Sequence, residues 1–222
     1  MADPSRHGDR PVVGLLVAAA TVALVTVGLV LRFGLVQPPA LSPVDDATRP
    51  GVALAVSSFR DHQRGSCIDV VEPDGTVREL RCGMDGGPLL GWDERGILML
   101  RYGSAGERLE VIDPVSGATV ASGPVDPSEL DRWALGVDIE RSGATLTVRD
   151  DDRVVLWQVD APDNYMITGS VRDPATGTVA LLDEAGRLLV LGPTAGEPRV
   201  WVADVGTRYG ELVWQGTALA SD

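Results

Sequence analysis

Two textures of hydrophobicity divide the chain. The first is one unbroken apolar run, Pro11 to Leu31, reading PVVGLLVAAATVALVTVGLVL. Its 21 residues carry no charge and nothing more polar than Thr21 and Thr26. As a helix at about 1.5 Å per residue it reaches roughly 30 Å, the depth of a bilayer's hydrocarbon core. It is apolar on every side rather than along one stripe. That predicts a membrane-spanning helix over residues 11–32 and argues against a buried helix of a soluble domain.

The second texture begins at Val52. Apolar runs of four to eight residues recur with no helical period, which predicts short strands. They fall at 52–59, 67–71, 76–80, 88–92, 97–102, 109–113 and 118–122, and then at 133–139, 144–149, 153–159 and 165–171. The series ends at 178–183, 187–192, 199–204, 211–214 and 217–220. Between them stand turn formers such as Pro73-Asp74-Gly75, Asp93-Glu94-Arg95-Gly96, Asp150-Asp151-Asp152 and Ala185-Gly186. Glycine supplies positive φ in such turns and proline presets their entry. Only Pro127 to Arg132, with Ser128 as a cap, suggests a helical turn.

The strands come in a repeating order. GWDERGILMLRYGSAGERLEVIDPVSGATV (91–120), GVDIERSGATLTVRDDDRVVLWQVDAPDNYMI (136–167) and SVRDPATGTVALLDEAGRLLVLGPTAGEPRVWV (170–202) can be laid side by side. Each reads strand, acidic turn, strand, polar turn, strand, Pro/Gly turn, strand. A four-stranded meander at a period of about 40 residues is the mark of propeller blades. The expected fold is therefore all-β: a propeller-like repeat of four-stranded antiparallel meanders, about four blades, preceded by one transmembrane helix. The first unit enters one strand late and ELVWQGTALASD opens a further unit. Two arrangements suit that offset: a ring closed by pairing the C-terminal strand into the first blade, or a partial ring completed by a partner.

LEVIDPVSGATV resembles the strand-to-strand turn of bacterial β-propeller repeats of the YVTN, TolB and PQQ-like kinds. Ile112, Asp113, Pro114, Gly117 and Val120 carry the match, and Glu72-Pro73-Asp74-Gly75 echoes it. The resemblance extends over 52–222 and implies a propeller. Members of that family serve as binding scaffolds, assembly factors or cofactor-dependent dehydrogenases. This chain departs in having about four units, no Trp-Asp signature and no regular PQQ-type tryptophans.

Charge orients the span. Arg6 and Arg10 precede it and favour a cytoplasmic N-terminus, whereas Arg32 directly after it weighs the other way. A cleaved signal peptide would need a shorter apolar core and a small-x-small site. An uncleaved signal anchor is therefore expected, with residues 1–10 as cytoplasmic tail, 33–51 as a linker rich in proline, and 52–222 as an extracytoplasmic domain. Pro38, Pro39, Pro43 and Pro50 make the linker a semi-rigid spacer.

The chain has 19 Lys+Arg against 32 Asp+Glu, a net charge of -13, and every base is arginine. An acidic domain repels phosphates, so nucleic acid is not an expected partner. The expected partners are the lipid bilayer through residues 11–32 and a protein partner or a second copy. A cation or a basic partner also suits the charge.

Cys67 and Cys82 are the only cysteines. They flank CIDVVEPDGTVRELRC, whose Asp74-Gly75 tip reads as a two-residue hairpin loop. That register sets Cys67 opposite Cys82, close enough to bridge. A disulfide persists outside the cytoplasm, in keeping with the orientation drawn from the arginines. Two thiols alone lack the ligand count of a structural metal site, so no metal is expected.

Residue types suited to catalysis are scarce. His62 is the only histidine beyond the N-terminal tail, and no G-x-S-x-G elbow accompanies Ser57, Ser58 and Asp61. No catalytic residue and no cofactor site is assigned. The carboxylates at 150–152, at Asp160 and Asp163, and at Asp126, Glu129 and Asp131 read first as solvated turns. Calcium binding and a glycosidase-like pair of carboxylates are their functional alternatives. The five tryptophans read as packing between blades. The expected function is binding or scaffolding at the bacterial cell envelope, with an extracytoplasmic glycosidase-like hydrolase as the alternative.

Overall fold

A computed structural model of the protein describes residues 38–61, 65–84, 87–103, 106–125 and 137–216. The predicted span, His62, the carboxylates of 126–131, Trp133 and the strand at 217–220 lie outside the described residues. Among the described residues no helix is long and apolar enough to cross a membrane.

The described chain is all-β. Its strands are β1 (Leu54–Asp61), β2 (Gly65–Val71), β3 (Val77–Met84), β4 (Leu89–Asp93), β5 (Gly96–Gly103), β6 (Gly106–Ile112), β7 (Thr119–Pro124) and β8 (Asp138–Ser142). They continue as β9 (Thr145–Arg149), β10 (Val155–Asp160), β11 (Ile167–Arg172), β12 (Val179–Asp183), β13 (Leu188–Leu191), β14 (Arg199–Val202) and β15 (Gly210–Trp214). All pair antiparallel, in four sheets. The first sheet runs β15-β1-β2-β3, the second β4-β5-β6-β7, the third β10-β9-β8 and the fourth β11-β12-β13-β14. The repeat units read from the sequence thus become separate meanders. The offset at the first unit is made up by β15, which pairs along β1 from Leu54↔Trp214 to Ser58↔Gly210.

Strands such as β12 and β13 are apolar without alternation because both of their faces are buried, whereas β9 alternates. Leu54 and Val56 of β1 join Leu212 and Trp214 of β15 in a cluster with Ala180, Leu182, Leu188 and Val190 of the fourth sheet. Their neighbours Ala53, Ala55 and Val213 turn the other way and pack with Leu89, Trp92, Ile97 and Met99 of the second sheet. Leu98 and Leu100 then face a further cluster with Leu90, Leu109 and Val111. The period of two thus distributes one apolar run between two cores. Trp201 stacks on Trp214 at 5.7 Å within the first of these clusters. Sequence reading gave the tryptophans this packing role, and these two show it.

Contacts between sheets follow one rule. In three sheets the link from third to fourth strand lies against the outermost strand of the sheet before. Trp201 Nε1 of β14 donates to Pro73 O in the β2–β3 turn at 3.4 Å. Arg78 Nη2 of β3 donates to Pro114 O in the β6–β7 turn at 2.8 Å. Gly196 N, between β13 and β14, donates to Leu156 O of β10 at 2.9 Å. β15 also packs beside both β4 and β11.

The segment expected as a spacer is partly built into the folded unit, which begins at Pro38. Val44 N donates to Val200 O at 2.9 Å, and Val200 N donates to Ser42 O at 2.8 Å, laying the segment alongside β14. Arg187 Nη1 donates to Pro39 O at 2.8 Å. Proline removes donors but not acceptors, so a proline-rich segment can still line a sheet edge through its carbonyls and its few N–H groups.

Candidate binding cleft

The disulfide sits where the sequence places it, but by a different register. The β2–β3 turn is one residue longer than a two-residue loop. Glu72 N donates to Thr76 O at 2.9 Å and Gly75 N to Glu72 O at 2.8 Å, leaving Pro73, Asp74 and Gly75 in the loop. Gly75 takes φ +87°, the left-handed position of a three-residue hairpin. The strands then pair Val71↔Val77 to Asp69↔Glu79, a register that would miss the cysteines. A bulge at Leu80 shifts it by one, giving Ile68↔Arg81 and Cys67↔Cys82, and the two cysteines are bonded. The bulge is held from outside: a Cβ on Gly117 would lie 2.5 Å from Leu80 O, so only glycine allows the β6–β7 turn to seat there. Glu79 brings a carboxylate oxygen within 4.8 Å of both sulfurs. The sulfurs are bonded to each other and offer no thiolate to a metal.

Beside this hairpin, at the seam of the first and second sheets, lies a cleft of about 360 Å³. Ser57, Ser66, Met99, Tyr102, Tyr209 and Glu211 are among its lining residues. β15 supplies Glu211, whose Oε2 accepts a hydrogen bond from Leu89 N at the start of β4, at 2.7 Å. Partial burial pushes the Glu211 carboxyl up from its ordinary value, against the opposing pull of that N–H. Tyr102 ends β5 and is 54% exposed; Tyr209 precedes β15 and is 63% exposed. Tyr209 is held in place by Thr207, whose Oγ1 donates to Tyr209 O at 2.8 Å. Among the described residues Tyr102 and Tyr209 are two of the six exposed large hydrophobic residues, and both border this one cleft.

A larger cavity, about 430 Å³, lies between residues 47–52 and the fourth sheet. Its two arginines and Asp173 are already matched. Arg49 pairs with Asp46 at 3.3 Å and Arg199 with Asp45 at 3.8 Å. The buried Asp173 carboxylate accepts from Ala175 N at 3.0 Å and from the Thr176 hydroxyl at 2.5 Å. A third polar group is wholly internal. Asp183 Oδ2 accepts from the Tyr165 hydroxyl at 3.1 Å and from Arg187 Nε at 2.8 Å. Burial, and then the Asp183 charge, hold the Tyr165 phenol protonated. Arg141 of β8 donates to Tyr165 O, which ties the third sheet to the start of the fourth.

Of the carboxylates weighed from the sequence, Asp150 accepts from Val154 N at 2.8 Å and Asp160 from the Thr145 hydroxyl at 2.9 Å. Both are bound into their own hairpin. Glu211 and the two tyrosines were not singled out in the sequence. A signal was there: in ELVW, Glu211 shares a strand face with the buried Val213, although its own side chain stays exposed.

No protein-family model matches the chain, and no curated protein matches it either.

Proposed function

We propose that this chain is a membrane-anchored, extracytoplasmic binding or scaffolding protein of the bacterial cell envelope. Its folded unit is a four-bladed, propeller-like ring related to the YVTN, TolB and PQQ-like repeats. The pairing of β15 with β1 supports the ring reading, as does the seating of a turn on the preceding sheet in three of the four sheets. The observation that carries the location is the Cys67–Cys82 bond, since such bonds persist where thiols are not kept reduced. Anchoring rests on the apolar run of residues 11–32, with the N-terminus cytoplasmic. The partner is a protein or a second copy of this chain.

Thiol labelling in intact cells tests the placement. A membrane-impermeant maleimide should leave both cysteines unmodified until a reductant is added, then modify both. Labelling without reductant, or only after the inner membrane is broken, would overturn the extracytoplasmic reading.

A further inference from the structure

The seam cleft combines three features that point to one ligand chemistry. The first is a carboxylate with no counter-ion: among the described residues Glu211 makes no ion pair, and Leu89 N is the partner of its Oε2. Oε1 is left for a ligand. The second is the pair of exposed aromatic rings, Tyr102 and Tyr209, on the cleft's border. Aromatic faces carry negative quadrupole charge and attract cations. The third is the lining itself, which contains no arginine, lysine or histidine among the described residues. Among the described residues an anion entering it would meet no positive side chain, in a chain whose net charge is already -13.

We propose that this cleft binds an organic cation, an alkylammonium or guanidinium group, with Glu211 as counter-ion and Tyr102 and Tyr209 as aromatic walls. The cleft, at about 360 Å³, takes a group of that size rather than a folded surface. Met99 in the lining gives the alkyl stem an apolar contact, while Ser57 and Ser66 add hydroxyls. The proposal rests on the binding-protein reading and names the chemistry of what is bound. The cation could come from a free small molecule or from a lysine or arginine side chain of a partner protein.

The test is titration of the full chain, kept in a neutral maltoside detergent, with two probes followed by calorimetry. One probe is arginine ethyl ester; the other is a short peptide with one central arginine and blocked ends. N-acetylglucosamine serves as the neutral probe and acetate as the anionic one. Both cationic probes should bind, and affinity should fall several-fold between low and physiological salt. Glu211→Gln keeps an acceptor for Leu89 N and removes only the charge, so it should weaken the cations at least tenfold. Tyr102→Ala and Tyr209→Ala should each weaken them about two- to fivefold. Tighter binding of the peptide than of the ester would assign the cation to a protein partner, and the reverse to a free small molecule. Equal affinity for the neutral probe, or cation binding unchanged in Glu211→Gln, would overturn the proposal. Failure here with the thiol-labelling result intact would remove the cation and leave the envelope placement standing.

Discussion

Arg153 occupies a place that its own repeat assigns to glycine. Three turns share one pattern: the first residue's N–H donates to the carbonyl four places on, and the residue three places on donates back to the first carbonyl. They start at Glu72, Asp150 and Asp183. The fourth residue of each takes positive φ, as Gly75 at +87°, Arg153 at +62° and Gly186 at +81°. Arg153 is the one non-glycine residue with positive φ in the described chain. A side chain there costs about 1–2 kcal/mol, and glycine returns about 0.5–1 kcal/mol of that through its freer unfolded chain. Nothing else is lost on truncation. Arg153 is exposed, and its backbone carbonyl, which accepts from Arg149 Nη1 at 3.2 Å, remains. Arg153→Gly should therefore stabilise by about 0.5–1 kcal/mol, roughly 1–4 °C in Tm for a folded unit of this size. Denaturant unfolding of the full chain, read through tryptophan fluorescence, measures it; the buried Trp157 lies on the adjoining strand. Arg153→Ala removes the same charge without the conformational relief and should bring no gain. Equal stabilisation by Gly and Ala would refute the backbone argument and leave charge as the cause. The reciprocal change, Gly186→Ala, should cost more than about 1 kcal/mol. Its Cβ would meet Thr207 O at 3.0 Å as well as the unfavourable φ.

Three further outcomes follow from the same geometry. Replacing Cys67 and Cys82 together by alanine should lower stability by about 3 kcal/mol, the chain-entropy value for a loop with a sequence separation of 15. Unfolding of the wild type with and without reductant should reproduce that loss, and no change in either would refute it. Trp214→Ala removes a side chain only 1% exposed from the junction of the first and fourth sheets, and should cost about 3–5 kcal/mol by calorimetry. A cost below about 1 kcal/mol would show that β15 contributes little to closing the first sheet. Stability should also fall in acid. Asp45, Asp74 and Asp113 are held below the ordinary value of 3.8 chiefly by hydrogen bonds from Thr48, Thr76 and Ser116. A carboxyl lowered in the folded state stabilises above its unfolded value and loses that contribution as pH falls through the folded one. Burial raises Glu184 and Glu211 above 4.5, which has the opposite sign. A Tm profile that holds or rises slightly on approach to pH 4.5 and falls below 3.8 is expected; a steady rise into acid would contradict it.

Much of the fold was legible because its signals are local. Runs such as 97–102 and 187–192 are bounded by Asp-x-x-Gly turns, and those bounds became strand ends within a few residues. The unit order was legible for the same reason, and it pointed to β15 as a possible fourth strand for the first sheet. Two features lay beyond reach. The β2–β3 hairpin meets its cysteines only because a three-residue loop and the Leu80 bulge offset each other. Neither could be inferred from CIDVVEPDGTVRELRC, although the pairing of Cys67 with Cys82 came out the same. The use of 38–50 as a border for β14 was equally hidden, since four prolines argue for a spacer until Val200 is found beside them.

The acidity of the chain shows most clearly why a site is harder to read than a fold. Counted along the sequence, the carboxylates are one population and solubility accounts for them. In three dimensions they separate. Asp74, Asp93, Asp113, Asp150, Asp173 and Asp183 each accept a backbone N–H within their own turn, so they are there to shape the backbone between strands. Their distinguishing mark is position: each stands at the start of a turn or, as Asp74, inside one, two to four residues ahead of the N–H it accepts. Glu211 has no such turn to serve. It lies within a strand, on the face of Val213, and reaches across to the next sheet. Its side chain stays exposed, so water shares the solvation of the carboxylate with that one N–H of the second sheet. Sorting acids by whether a turn explains them sets Glu211 apart from the turn formers, beside the buried strand carboxylates Asp69 and Glu110.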